Sequence, residues 1–552
     1  MTAPKRNEAN SPGLPSGKRN EPNFGWLPRS GRSSSSPCSA WGCRLRRSAS
    51  SSGRDEGLSQ RTRSVQDGIP TKDRGDEWSG CRVGSPGSGA IPHSFRSNSV
   101  ARSRRNEANF RPGLTSRRNE ANFRPAPILA FVAGFLALVA WSGQARAGGE
   151  GWKFDLGPGP AAPGFFKVPP ESLYSKALGH GFEPGSKVEG VNRNGTDPLR
   201  DDFVTGPAPF FFSVVVPEGN YRVRLTLGDR EGESATTVKA ESRRLMVEDA
   251  RTARGSYVVR TFLVNMRTPT IASEGSVKLA SGEASEPDWD DKLTLEFNGP
   301  RPCVCGIEIE PAPSVTTVFV VGDSTVTDQS REPYNSWGQM LPRFFTGDVC
   351  VSNHARSGAA LRSFVGSRRL AKVLDSIRPG DYLLVQFGHN DQKEKGEGVG
   401  AFTTYAASLR SYIAEARARK ATPILVTPVA RRAFDREGKL VNNLGEYPEA
   451  VRRVAREEGV PLVDLNIMTR AFYEALGVEG SKAAFVDNSH HNNYGSYEVA
   501  RCVVEGLRQV EPTLAKWLDP AVSKFDPSRP DPLAAFRLSP SPKAPTIVPE
   551  GS

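Results

Sequence analysis

Residues 318 to 324 read Val-Phe-Val-Val-Gly-Asp-Ser, a short apolar run that stops at a glycine and delivers an acid and a hydroxyl. Aromatic and β-branched residues bounded by turn chemistry read as a buried strand. Ser324 then falls on the turn leaving that strand, with its hydroxyl at the rim and its own N–H free. Taken alone, Gly322-Asp323-Ser324 is more often an ordinary turn in which Asp323 or Ser324 caps the next helix. The neighbouring segments decide between the two.

Further apolar runs follow at Val349 to Ser352, Tyr382 to Gln386, Pro423 to Thr427 and Leu462 to Leu465. Amphipathic stretches lie between them, at Leu361 to Ile377, Tyr405 to Arg419 and Tyr494 to Leu507. Strands alternating with helices predict right-handed crossovers, a parallel sheet and helices on both of its faces. In such a sheet, reactive residues gather at the carboxyl ends of the strands. Upstream the period changes to two: Phe210 to Val216, then Tyr221, Val223, Leu225 and Leu227, then Leu293, Leu295 and Phe297, then Ile307 and Ile309. Strands without helical spacers predict an antiparallel sandwich or jelly roll over 151–312. The α/β unit then occupies 314–519, and a Pro-rich extended tail occupies 520–552.

The chemistry sits on the turns. Asn353-His354-Ala355-Arg356-Ser357-Gly358 follows the second strand, where a glycine lets a backbone N–H approach a ligand closely. Gly388-His389-Asn390-Asp391 follows the third and offers a side-chain amide at the same rim. The N–H groups of Ser324 and Gly358 with the Asn390 amide would form an oxyanion hole, which stabilises charge developing on an acyl oxygen. A serine nucleophile also needs a base, normally a histidine oriented by a carboxylate. Asp487-Asn488-Ser489-His490 lets one loop present both towards Ser324. His354 and His491 have no adjacent orienting acid and read as surface or hydrogen-bonding residues.

The chain's formal charge of +12 does not mark a nucleic-acid binder. Residues 1–126 hold 23 Lys/Arg against 10 Asp/Glu, leaving 73 − 23 = 50 basic and 61 − 10 = 51 acidic residues downstream. The near-neutral remainder carries no zinc-finger spacing and no aromatic-basic platform. The leader is rich in Ser, Arg, Gly and Pro, repeats a polar thirteen-residue unit, and reads as disordered and as translated sequence upstream of the true start. Within 127–147, Ile128 to Trp141 is apolar, with arginines before it and Ala145-Arg146-Ala147 after it. That is the pattern of a signal peptide cleaved after Ala147, so the protein is expected to be secreted or periplasmic, without a membrane span after cleavage. No Met lies between Met1 and Met246, which points to a non-ATG start such as the codon of Val100 or Leu114. Downstream, Cys303, Cys305, Cys350 and Cys502 have neither disulfide-scaffold nor zinc-site spacing and read as buried thiols. Asp288, Asp290 and Asp291 around Trp289 read as a solvated acidic loop rather than a calcium site.

In order, Gly-Asp-Ser, the Gly358 turn, Gly-His-Asn-Asp and Asp-x-x-His resemble the blocks of SGNH (GDSL) hydrolases. Segments 334–345, 385–393, 427–435 and 446–465 are similar to rhamnogalacturonan acetylesterases in particular. The resemblance covers roughly Thr317 to Glu511. Residues 153–182 resemble the galactose-binding-like sandwich that precedes the esterase in bacterial relatives. The resemblance implies a three-layer α/β/α, flavodoxin-like catalytic fold, with Ser324 as nucleophile and Asp487 and His490 as its partners. It also implies Ser324, Gly358 and Asn390 as oxyanion hole, and neither metal nor organic cofactor. This chain has Ala359-Ala360 where relatives commonly carry Arg-Ser, and Asn488 where Gly is more usual, so the sugar specificity departs from the pattern before the catalytic set does. The expected activity is removal of acetyl groups from a pectin-like polysaccharide. The alternatives are an esterase on sialate, xylan or aryl acetates, and a glycan-binding protein with an inert hydrolase domain.

Overall fold

The computed structural model describes residues 151–542; the leader, the signal segment and the last ten residues lie outside the described residues. Five parallel strands form the sheet that carries Ser324, in the order Val349–Asn353, Thr316–Gly322, Tyr382–Gln386, Thr422–Val426 and Leu462–Val463. Numbered along the chain, that order is 2-1-3-4-5, so the sheet reverses direction beside the strand that ends at Gly322. Alternate residues face opposite sides. Val318, Val320, Leu384 and Ile424 pack with Trp337, Phe472, Val499 and Val503, whereas Phe319, Val321, Leu383 and Val385 pack with Phe364, Val373, Tyr412 and Val451. Helices Leu465–Gly480 and Asn493–Val510 cover the first face; Arg369–Ser376, Ala406–Ala418 and Tyr447–Glu458 cover the second.

Upstream, two sheets face one another. One has seven strands, with Ser256–Met266, Gly219–Asp229, Val304–Pro311, Trp152–Leu156 and Phe166–Val168 in order. The other runs His180–Phe182, Phe210–Val215, Lys292–Arg301, Ser234–Ala240, Arg244–Thr252. Phe154, Phe182, Phe210, Phe212, Leu225 and Phe297 are fully buried in the shared core, as expected where inner faces interdigitate. Pairing is antiparallel except between Trp152–Leu156 and Phe166–Val168, which run parallel.

Three details differ from the sequence reading. The single helix expected over 361–377 is two, Leu361–Gly366 and Arg369–Ser376. Gly366 and Ser367 favour termination, and Arg368 adopts a left-handed φ of 63° at the break. Asp288 is not part of a solvated loop. It is 3% exposed and pairs with Arg244 Nη2 at 3.0 Å, because Trp289 is buried beneath the Arg267 and Arg369 guanidiniums and draws the segment inward. Asp290 is half-buried and burial pushes its carboxyl up to about 7, leaving only Asp291 exposed. Finally, the extended chain after 520 is docked. Phe525 and Leu538 are buried, Lys239 Nζ donates to Ser539 O and Ser541 Oγ, and Asn298 Nδ2 donates to Pro540 O. Cys303, Cys305, Cys350 and Cys502 are buried free thiols, and burial pushes the Cys303 thiol up to about 12.

Candidate active site

The site starts from how the first parallel strand ends. A Cβ at Gly322 would meet Gln386 O at 2.6 Å and Val326 Cγ2 at 2.5 Å, so only glycine lets the chain turn this close to the neighbouring strand. The Asp323 carboxylate then ties the turn: Oδ1 accepts from Thr325 N at 3.0 Å and from Thr325 Oγ1 at 2.8 Å. Val326 N and Thr327 N both donate to Asp323 O, closing a tight turn rather than the expected start of a helix; the next helix begins at Trp337. Ser324 is left half-buried on the outside of this turn.

Beneath it, a buried chain of hydrogen bonds holds the turn in place. Trp337 Nε1 donates to Gln386 Oε1 at 2.8 Å, Gln386 Nε2 to Thr325 Oγ1 at 2.7 Å, and Thr325 Oγ1 to Asp323 Oδ1. On its other oxygen Asp323 meets His389 Nδ1 at 3.2 Å. Burial raises the Asp323 carboxyl, but the imidazole and the two Thr325 donors outweigh it and hold the carboxyl below the usual range.

The loop before helix Asn493–Val510 brings the distant partners. His490 Nε2 lies 2.8 Å from Ser324 Oγ, and His490 Nδ1 lies 2.8 Å from Asp487 Oδ2. Asp487 Oδ1 accepts from Ser489 N at 2.7 Å and His490 N at 2.8 Å. Against the upward push of partial burial, the His490 ring and those two N–H groups hold the Asp487 carboxyl below its ordinary range. An ionised carboxylate only accepts, so Nδ1 carries the proton and Nε2 presents its lone pair to the serine hydroxyl. This is the tautomer a general base requires.

Ser324, Gly358, Asn390, Asp487 and His490 line one cleft of about 410 Å³. Gly358 has φ 77° with open space where a side chain would stand. The Asn390 amide is fixed at both ends: Oδ1 accepts from Lys393 Nζ at 2.9 Å and Nδ2 donates to Ala359 O at 3.0 Å. One amide hydrogen remains for a ligand. The cleft also contains Gln329, Tyr334 and Lys393, which the sequence reading did not single out. Gln329 Nε2 donates to Ser324 O at 2.7 Å, and the Tyr334 ring stands edge to face with His490 at 5.8 Å. The only signal for Tyr334 was its place in the 334–345 segment. His354 and His491 stay outside the cleft. His354 Nε2 pairs with Ser352 Oγ at 2.9 Å and His491 Nε2 with Tyr473 at 2.7 Å, both buried. Among the described residues, no group of three or more His, Cys, Asp or Glu is arranged to hold a metal ion, and no helix is long and apolar enough to cross a membrane.

Residues 320–495 match the GDSL-like Lipase/Acylhydrolase family, and residues 152–266 match the Beta-agarase/YXIM esterase-like, galactose-binding domain-like family. The chain is 41% identical over 210 residues to rhamnogalacturonan acetylesterase RhgT of Bacillus subtilis (strain 168), covering 35% of this chain and 90% of that protein. It is 27% identical over 372 residues to the uncharacterized esterase YxiM of the same organism, covering 65% of this chain and 91% of the relative. The crystal structure of YxiM from Bacillus subtilis superposes with a TM-score of 0.34 at 26% identity, over 65% of this chain and 98% of that one.

Proposed function

We propose that this chain, which belongs to the GDSL-like lipase/acylhydrolase family and is an esterase, removes acetyl groups from an acetylated polysaccharide of the rhamnogalacturonan type. One observation carries the chemistry: Ser324 Oγ, His490 and Asp487 stand in series at 2.8 Å and 2.8 Å beside a cleft that also holds Gly358 and Asn390. In this reading His490 Nε2 takes the Ser324 proton as the oxygen attacks the acetyl carbonyl. The oxyanion is received by the N–H groups of Ser324 and Gly358 and by the free Asn390 amide hydrogen. His490 then gives its proton to the departing sugar oxygen. Water, deprotonated by the same nitrogen, cleaves the acyl-enzyme to acetate and restores Ser324. Asp487 stabilises the imidazolium in both halves.

The polysaccharide assignment rests on the 41% identity to a rhamnogalacturonan acetylesterase. Two further parts of the proposal concern the chain's surroundings and layout. Secretion or export to the periplasm is supported by the apolar run Ile128 to Trp141 with its basic flank and Ala145-Arg146-Ala147 exit. A three-layer catalytic unit over 314–519 behind a jelly-roll-like sandwich over 151–312 is supported by the strand order and the two facing upstream sheets.

The test is acetate release by the purified chain from acetylated pectin, acetylated xylan and an aryl acetate. We expect the pectic substrate to be preferred, and Ser324→Ala to lower turnover by about a thousandfold or more on each while leaving the fold unchanged. Substantial turnover by Ser324→Ala would remove the serine from the mechanism. Preference for xylan would move the substrate class and leave the chemistry standing.

A further inference from the structure

We propose that Arg243, which belongs to the upstream sandwich, is a positioning residue of the esterase site, so that the sandwich braces one wall of the cleft from behind. This rests on the reading of Ser324 and His490 given above. Arg243 lies in the tight connection between strands Ser234–Ala240 and Arg244–Thr252, at a left-handed φ of 63°, with Glu241 also left-handed at 55°. Two non-glycine residues in that region within three positions cost free energy and persist only where the surroundings over-determine them. The surroundings here are the loop that rims the cleft. The Arg243 side chain, 4% exposed, enters that loop. Nη1 donates to Gln329 O and to Tyr334 O, each at 2.9 Å, while Nη2 meets Glu332 Oε1 at 2.6 Å and Asn493 Oδ1 at 3.2 Å.

The two carbonyls belong to the residues that face the reacting atoms. Gln329 holds Ser324 O through its amide, and Tyr334 presents its ring to His490. The same node reaches the histidine loop from behind: Asn335 Nδ2 donates to Asn493 Oδ1 at 2.8 Å and Asn335 N donates to His491 O at 2.9 Å. A planar fork with donors on both arms fits this task, because one rigid group can span two carbonyls and a carboxylate at once. Tyr334 is 38% exposed beside the nucleophile, a flat amphipathic ring offered to the sugar that carries the acetyl group. The Ser324 turn has its own anchor in Asp323, which is independent of Arg243.

Removing the guanidinium leaves Gln329 O to Gln339 Nε2, which donates to it at 2.9 Å, so the nucleophile keeps its turn while Tyr334 O loses its donor. In the full chain, we expect Arg243→Ala to raise KM for the acetylated polysaccharide about tenfold while kcat on an aryl acetate changes by less than about threefold. Arg243→Lys, which restores a charge facing Glu332 but not the fork, should recover part of the polysaccharide KM. Tyr334→Ala should reproduce the KM rise, and combining it with Arg243→Ala should add little, as for residues acting through one contact. Unchanged polysaccharide KM in folded Arg243→Ala, or full additivity with Tyr334→Ala, would overturn the proposal. If Arg243→Ala does not fold, Arg243→Lys carries the same test: an intermediate KM rise supports the role and a wild-type KM ends it. Failure of the nucleophile assignment would show separately, as turnover surviving in Ser324→Ala.

Discussion

Two aspartate–histidine pairs stand at the carboxyl end of the parallel sheet, and they differ in almost everything but composition. In one, Asp487 and His490 are 45% and 29% exposed, and the far ring nitrogen meets the Ser324 hydroxyl. In the other, Asp323 and His389 are 0% and 5% exposed, and the far ring nitrogen has no partner. Each carboxyl is held below its ordinary range chiefly against the opposing push of burial. The exposed pair is open to solvent and, in the mechanism proposed above, supplies the base. The buried pair is one end of the hydrogen-bond chain from Trp337 through Gln386 and Thr325, and it holds the turn that displays the serine. In that proposal the same two side chains are a reagent in one setting and a strut in the other, and access to the hydroxyl separates them.

The widest separation between the pairs should come from Asp487→Asn. The amide no longer compels Nδ1 to carry the proton, so Nε2 ceases to face Ser324 as a base. We expect kcat to fall by about 10²- to 10³-fold on aryl acetate and on polysaccharide alike. Stability should move by less than about 1 kcal/mol, because the pair is well exposed and solvent-screened. Steady-state kinetics together with urea unfolding check both halves; a variant that keeps its rate would mean that the exposed pair is not the base.

How much of this contrast could be read from the chain follows from range. Tyr382–Gln386 is a strand at the residues where the apolar run predicted one, because a buried parallel strand must be apolar on both faces and that signal is local. The convergence of Ser324, Gly358, Asn390 and His490 was also legible, since a parallel sheet sends the end of every strand to one rim. The rest depended on partners far along the sequence. Nothing near Asp323 announces His389 as its mate, and Arg243 looks like one arginine among many until Gln329 and Tyr334 close round it. Asp288 looked like a solvated acid because its neighbours in sequence are acids. Its neighbours in space are Arg244 and Arg267. The break at Arg368 hid inside an amphipathic pattern that continues on both sides of it.

A change to the buried pair should invert the outcome of Asp487→Asn. His389→Ala leaves the enclosed Asp323 carboxyl with only the Thr325 donors to satisfy it. Leaving a buried polar group short of one hydrogen-bond partner costs on the order of 1–3 kcal/mol. We expect a loss of that order in urea or thermal unfolding, with kcat in the folded population reduced less than tenfold. Equal losses of rate in His389→Ala and Asp487→Asn, with stability intact in both, would erase the distinction between reagent and strut.

The smallest effect tests whether burial alone can tune a carboxyl at this rim, and it involves Asp391, next to the proposed oxyanion donor. Its Oδ1 accepts from Leu361 N at 2.9 Å, its Oδ2 has no partner, and the residue is 2% exposed. Burial pushes its carboxyl up to about 7. An acid raised in this way holds its proton in the folded state at pH values where the unfolded chain has already lost it. Stability must therefore fall as pH rises from about 4 through 7, and level off above. Asp391→Asn keeps the acceptor for Leu361 and cannot ionise, so it should match the wild type near pH 4 and lack this decline. Above pH 7 we expect it to be more stable by on the order of 1–2 kcal/mol, less than the full proton linkage because the new amide NH₂ stands where Oδ2 already lacks a partner. Urea midpoints at pH 5 and pH 8 read the difference directly. Parallel pH profiles in the two proteins would show that Asp391 is neutralised or solvated by something other than burial, and would return it to the same class as the exposed Asp487.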